Sequence, residues 1–220
     1  MVNTWASFLA EMRIELDDLG TTPRWADSVL YIFLRDGIWD YSQYFPIRED
    51  HVALVAAIGD DRKYVLPSSF MDDILVECPS GNYLDVRRER PGVRLSASSS
   101  PLFYYVDAGS LYLDASPGGT PVLLSYYGAH GIPANATDTT FALTVPQSDL
   151  EVLKLYVQAR VNVLIRTRQA QLDRFKLGSG ARTDNPIVEE TTDFFARYNS
   201  AIAMRLRPVA IRLYRPRRNQ

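Results

Sequence analysis

The sequence predicts an α+β protein: a bundle of about four helices, an antiparallel β domain inserted between helix 2 and helix 3, and an extended basic C-terminal arm. Three observations support this prediction. Apolar residues recur at helical spacing near both ends, short β-branched and aromatic segments fill the middle, and residues 205–220 hold six arginines and no acid. The predicted parts are an N-terminal helix pair, a β domain, a long helix, and a linker with a fourth helix and the arm: residues 1–48, 49–146, 147–177 and 178–220.

The first helix is predicted by apolar residues at steps of three and four. They are Trp5, Phe8, Leu9, Met12, Leu16 and Leu19. Such spacing places them on one face of a helix. Asn3 or Thr4 is expected to cap its start, and Gly20 is expected to end it.

The second helix is predicted to begin at Thr22 and Pro23, because a capping residue followed by proline is typical of a helix start. It is expected to run to about Tyr44, where Pro46 stops it. Its expected apolar positions include Trp25, Val29, Leu30, Phe33, Leu34 and Trp39.

Between about residues 50 and 132 the pattern changes to short strand-like segments. They read HVALVAAI, DILVE, NYLDVRRE, LFYYVD, SLYLD and VLLSYYG. Turn residues separate them, which predicts an antiparallel β meander. The clearest hairpin joins residues 102–107 to residues 110–114 through Ala108 and Gly109.

Two further helices are predicted after the strands. Ser148 and Glu151 form the sequence pattern of a capping box, and the helix they open is expected to run to about Phe175. Asn185 and Pro186 then give a second cap-and-proline signal for a fourth helix that ends near residue 206. Its expected apolar face consists of Val188, Phe195, Tyr198 and Ile202.

The charges are strongly polarised along the chain. Residues 1–153 contain 10 Lys+Arg and 21 Asp+Glu, whereas residues 154–220 contain 14 and 5. A basic terminus of this kind is expected to dock on an acidic partner, which is a nucleic acid, a neighbouring copy or another protein. Its apolar residues alternate with polar ones, as in a strand that adds to a partner's sheet. The candidate docking arm comprises Arg205, Arg207, Val209, Ile211, Arg212, Leu213, Tyr214, Arg215, Arg217 and Arg218.

Catalytic chemistry has little support in the sequence. There are one cysteine and two histidines, and neither phosphate-binding nor dinucleotide-binding glycine motifs occur. We therefore expect no enzyme activity, no catalytic or metal-binding residues and no cofactor. No run of about 18 apolar residues is present, so no membrane partner is expected.

A combination of three patterns resembles the head-to-tail connector (adaptor, or neck) proteins of tailed bacteriophages. The first is a helix pair with Trp25, Asp27 and Leu30 followed by Tyr41, Ser42, Phe45 and Pro46. The second is the hairpin FYYVDAGSLYLDASPGG followed by VLLSYYG. The third is a long helix opened by residues 145–151. The resemblance covers roughly residues 5–175. The length of the β insertion is closer to that of the tail-tube-like adaptors of short-tailed phages than to the small all-helical connectors.

The resemblance implies a structural virion protein, made in the host cytoplasm and located in the neck between capsid and tail. Copies would form a ring of twelve beneath the portal protein. The C-terminal arm would dock on the portal, and a tail or nozzle protein would bind the other side. Genomic DNA would pass through the ring without specific binding.

Two other functions fit parts of the sequence. A nucleic-acid-binding protein would use the basic C-terminal third, with salt-dependent and sequence-independent affinity. A carbohydrate- or surface-binding β module would use tyrosines of the predicted strands, provided that they form one exposed face. These are Tyr83, Tyr104, Tyr105, Tyr112, Tyr126 and Tyr127.

Overall fold

The computed structural model describes residues 4–87, 100–176 and 186–205. Over these residues the protein is a mixed α+β fold with four α-helices and eight strands. The chain divides into two compact units. The helical unit combines residues 1–44 with residues 131–220, and the strand unit is residues 45–130.

The helices are α1 (Trp5–Glu15), α2 (Asp27–Tyr44), α3 (Leu150–Lys176) and α4 (Pro186–Arg205). The strands are β1 (Ile47–Ala53), β2 (Ala56–Ala57), β3 (Asp60–Val65), β4 (Phe70–Glu77), β5 (Asp85–Val86), β6 (Phe103–Asp107), β7 (Ser110–Leu113) and β8 (Leu123–Gly128). A short 3-10 turn, Gln147–Asp149, leads into α3.

Helix α1 begins as predicted but ends earlier. Thr4 caps it, and the Thr4 and Ser7 side chains each accept a hydrogen bond from the other residue's backbone N–H. The predicted end at Gly20 is wrong. The chain leaves the helix after Glu15 because Asp17 adopts a left-handed conformation with φ of 51°. Leu19, expected on the buried stripe, is consequently 67% exposed.

The predicted start of α2 at Pro23 is also wrong, because a polar cluster holds residues 23–26 outside the helix. The Asp18 carboxylate accepts the backbone N–H of Trp25 at 3.2 Å. The Arg13 guanidinium donates to Asp18 at 2.7 Å and also to Asp27, the first residue of α2. The Asp18 carboxylate thus satisfies a backbone donor that a helix start at Pro23 would have left to capping groups.

The helices of the helical unit bury an apolar set of side chains. Its members include Trp5, Phe8, Met12, Leu30, Leu34, Ile38, Leu153, Val157, Tyr198 and Ile202. Helix α3 packs against both α2 and α4 of the same chain. Residues 131–146 belong to this unit rather than to the strand unit, because the Trp5 indole donates to the Ala136 carbonyl and Thr4 pairs with Ala142. The strand unit therefore spans 45–130, where the sequence interpretation had 49–146.

The bounds of α3 and α4 match the sequence prediction closely. The predicted capping box at the start of α3 does not form, however, because Pro146 is the capping residue of the 3-10 turn before it. The Ser148 hydroxyl donates to Asp149, and Glu151 instead forms an ion pair with Lys154 at 2.8 Å.

The strand unit is not the predicted antiparallel meander. It contains a three-stranded sheet in the order β1-β8-β4 and a five-stranded sheet in the order β2-β3-β7-β6-β5. The pair β5-β6 is parallel. Strand β8 lies at the centre of its sheet, paired with two strands that are distant from it in sequence. This central position agrees with its largely buried residues. The hairpin β6-β7 is confirmed, with positive φ at Ala108 and Gly109 as a tight two-residue turn requires.

Candidate docking site

The end of α4 is fixed to the start of α3 by its last residue, Arg205. The Arg205 guanidinium donates from Nε to Asp149 Oδ1 at 2.9 Å and from Nη2 to the Ser148 carbonyl at 3.1 Å. Only 18% of the Asp149 side chain is exposed, so solvent screens this ion pair less than it screens a surface pair. Arg205, the last residue of α4, is thus held in a defined position.

Asp149 has a second donor in α2. The hydroxyl of Tyr41, a fully buried side chain, donates to Asp149 Oδ2. Burial alone would raise the pKa of Asp149, but hydrogen bonds from Tyr41, Arg205 and Ser148, together with the Arg205 charge, lower it below its usual value. Burial, followed by the hydrogen bond to Asp149, raises the pKa of Tyr41. The three side chains form a clasp of one anion, one cation and one neutral hydroxyl.

A further polar contact joins α4 directly to α2. The Tyr198 hydroxyl donates to Asp40, and Tyr198 is buried. Burial and this hydrogen bond raise the pKa of Tyr198. Tyr156 of α3 packs edge-on against both Phe195 and Tyr198, at centroid distances of 6.3 and 5.2 Å. Aromatic packing and one charged acceptor therefore position the C-terminal half of α4.

The contact between α2 and α3 depends on Gly37. A Cβ at this position would lie 2.9 Å from Cδ1 of Tyr156, whose ring is held by α4. We expect Gly37→Ala to destabilise the protein by about 1–3 kcal/mol despite alanine's better helix propensity, because overpacking outweighs that gain. Chemical denaturation measures the change. Gly20→Ala is the control, since its Cβ would meet nothing closer than 3.7 Å; equal stability of the two variants would contradict the packing argument.

A cavity of about 350 Å³ opens on the surface of the helical unit. The described residues that line it are Arg35, Asp36, Trp39, Asp40, Ile132 and Tyr156. Trp39 was expected on the buried face of its helix, but 51% of it is exposed beside this cavity. Periodicity missed the arrangement because helical spacing placed Trp39 among the apolar positions of its helix, although its side chain is substantially exposed.

Of the ten residues predicted for the docking arm, Arg205 is the one in the described part of the chain. It lies in α4, and its guanidinium binds residues of its own chain. The other nine, Arg207, Val209, Ile211, Arg212, Leu213, Tyr214, Arg215, Arg217 and Arg218, lie outside the described residues. Sequence reasoning missed Asp149, Tyr41 and Asp40, whose partners are far away along the chain.

The tyrosines of the strand unit do not form one exposed platform. Tyr104 and Tyr126 are buried in the core. The rings of Tyr105 and Tyr112 stack on each other at 4.9 Å, and the Lys63 ammonium lies over Tyr112. Since the strand unit's own side chains already cover these ring faces, the structure offers little support for carbohydrate stacking.

Within the described ranges, no group of three or more His, Cys, Asp or Glu side chains has a metal-binding arrangement. None of the helices in those ranges combines the length and apolarity needed to cross a membrane. In the comparisons, no protein-family model and no curated protein matches this sequence.

Proposed function

We propose that this protein is a head-to-tail adaptor of a tailed bacteriophage. In this proposal the four helices form a bundle into which the β domain is inserted, and copies assemble into a ring beneath the portal. Residues 206–220 are the arm that docks on the portal. The opposite end of the ring receives a tail or nozzle protein, and the genomic DNA passes through without specific binding.

One observation carries the proposal. Residues 206–220 contain five arginines and no acid, and they follow an α4 whose last residue is clasped by Asp149 and Ser148. A chain that leaves a fixed point with several guanidinium groups is suited to bind a carboxylate-rich surface, because guanidinium binds carboxylates through paired hydrogen bonds. Several copies in a ring would bind together and offset the entropic cost of ordering each arm.

The acidic character of the rest of the chain agrees with DNA passage. Residues 1–153 have 11 more acids than bases. Affinity for DNA rises with the number of phosphates that a protein neutralises, so an acidic wall would let DNA slide. A nucleic-acid-binding function, by contrast, would require the basic residues to act against this acidic excess.

A pull-down from nuclease-treated infected lysate tests the proposal. The bait is the full chain, and the test variant replaces all five arginines of residues 206–220 with glutamine. The matched control removes five positive charges elsewhere, at Arg166, Arg168, Arg174, Lys176 and Arg182. We expect the full chain and the control to retain a large ring-forming virion protein, visible by negative-stain microscopy, and the test variant to lose it.

The result also separates the two functions. Retention from untreated lysate that is absent from nuclease-treated lysate, or retention from untreated lysate that falls equally in both variants, would contradict the adaptor function. It would instead favour nonspecific nucleic-acid binding through total positive charge.

A further inference from the structure

The cavity beside Trp39 combines apolar and acidic groups. Trp39, Tyr156 and Ile132 supply aromatic and aliphatic surface, and Asp36 and Asp40 supply carboxylates. The lining also contains one cation, Arg35, which is paired with Asp36. An exposed indole next to carboxylates is a favourable environment for a guanidinium group, which stacks on the ring and donates to the oxygens. The cavity therefore suits a peptide that carries both arginine and apolar side chains.

The two carboxylates differ in how far they are neutralised. Asp36 is paired with Arg35 at 3.1 Å and lies 3.5 Å from Arg160. Asp40 accepts a hydrogen bond from the neutral hydroxyl of Tyr198, and no ion pair to it occurs among the described residues. Because a carboxylate has about four acceptor positions, Asp40 retains the capacity to bind a cation.

The C-terminal segment of the same chain begins close to this cavity. Tyr198 touches Asp40 at the cavity wall, and Arg205 lies seven residues further along α4. Seven helical residues span about 10 Å. Three or four extended residues cover that distance, so a segment returning from Arg205 reaches the cavity at about residue 209.

The composition of residues 206–220 matches the cavity. The segment contains five arginines and no acid, and Val209, Ile211 and Leu213 are apolar residues that match the apolar lining of the cavity in chemistry. Its first half also has the length to pass Asp40 and Trp39 in turn. Charge, apolar surface and reach thus favour the same occupant.

We propose that residues 206–220 fold back onto the cavity of their own chain, with an arginine placed between Trp39 and Asp40. This contact competes with any external partner of the segment, so it holds the arm in reserve until a partner displaces it. The contact is intramolecular and does not depend on the identity of that partner.

Tryptophan fluorescence tests the proposal on the full chain. Trp5 and Trp25 are buried, so acrylamide quenching reports mainly on Trp39, and Trp39→Phe verifies this assignment. We expect the quenching constant of the full chain to rise about twofold when the five arginines of residues 206–220 become glutamine. Asp40→Asn should have the same effect, because asparagine still accepts from Tyr198 but lacks the charge that holds arginine.

Three controls accompany the quenching measurement: a charge variant in the strand unit, a change of protein concentration and added salt. Asp107→Asn removes an exposed charge from the strand unit and should leave quenching unchanged. The protection of Trp39 from acrylamide in the full chain should be independent of protein concentration and should weaken as salt is added. Equal quenching in the full chain and the arginine variant would overturn the proposal. Protection of Trp39 that grows with protein concentration would also overturn the proposal, because the segment in the cavity would then come from a second copy of the chain.

Discussion

Replacing Asp149 with alanine should destabilise the protein by about 2–4 kcal/mol, because it removes the shared acceptor of Arg205 and Tyr41. The Tyr41 hydroxyl would be left buried without this acceptor, and the Arg205 guanidinium would lose its ion pair. Chemical denaturation at pH 7 measures the loss. Ser148→Ala is the matched control, since it removes the hydroxyl that donates to Asp149 but keeps the carbonyl that binds Arg205.

The same clasp predicts how stability depends on pH. Because the folded state lowers the pKa of Asp149, its contribution is fully present above about pH 4, the ordinary aspartate value. The contribution is lost as pH falls through the lowered value. Asp149→Asn should therefore be less stable at pH 7 and show a weaker decrease in stability below pH 4. An unchanged acid profile would show that the clasp contributes little to folding.

The second large effect concerns Lys154, a buried residue of α3. Its ammonium forms ion pairs with Glu11 at 2.8 Å, Glu15 at 3.0 Å and Glu151 at 2.8 Å, and only 7% of its side chain is exposed. Changing all three glutamates to glutamine should destabilise the protein by about 3–5 kcal/mol, because a buried ammonium loses its counter-charges. Lys154→Met should cost less, since methionine fills similar space without a charge to compensate.

A matched control for the triple variant neutralises three exposed carboxylates of the strand unit: Glu49→Gln, Asp85→Asn and Asp107→Asn. Denaturation should show little change for this control. A triple variant no less stable than Lys154→Met would contradict the argument.

The ion pairs of Lys154 also predict how stability depends on pH. Burial would lower the pKa of Lys154, but its three carboxylate hydrogen bonds raise it above the ordinary lysine value. The contribution of Lys154 to stability therefore persists to about pH 10 and is lost as pH rises through the raised pKa of the folded state.

Local features of the fold were readable from the sequence. The Thr4 cap, the β6-β7 hairpin and the start of α4 each depend on residues within a few positions of one another. The sheet order was not readable, because β8 pairs with two strands far from it in the chain. The early end of α1 was missed because the usual sequence signal for a left-handed residue after a helix is glycine, whereas here Asp17 adopts that conformation.

The candidate site was predictable only in part. Arginine content marked residues 205–220, but neither charge nor periodicity indicated that Asp149 holds Arg205 while Asp40 faces a cavity. Both carboxylates find partners through tertiary packing of α4 on α2 and α3, which a one-dimensional pattern does not encode. The exposure of Trp39 was missed for a related reason, since helical spacing identifies apolar residues without showing which side a neighbour covers.

Cryo-electron microscopy of the complex retained by the full chain tests the adaptor proposal most directly. We expect a ring of this protein stacked on a larger ring, with residues 206–220 extending from α4 and their arginines against carboxylates of the larger ring. A complex in which these residues contact nucleic acid alone, or in which this protein forms no ring, would contradict it.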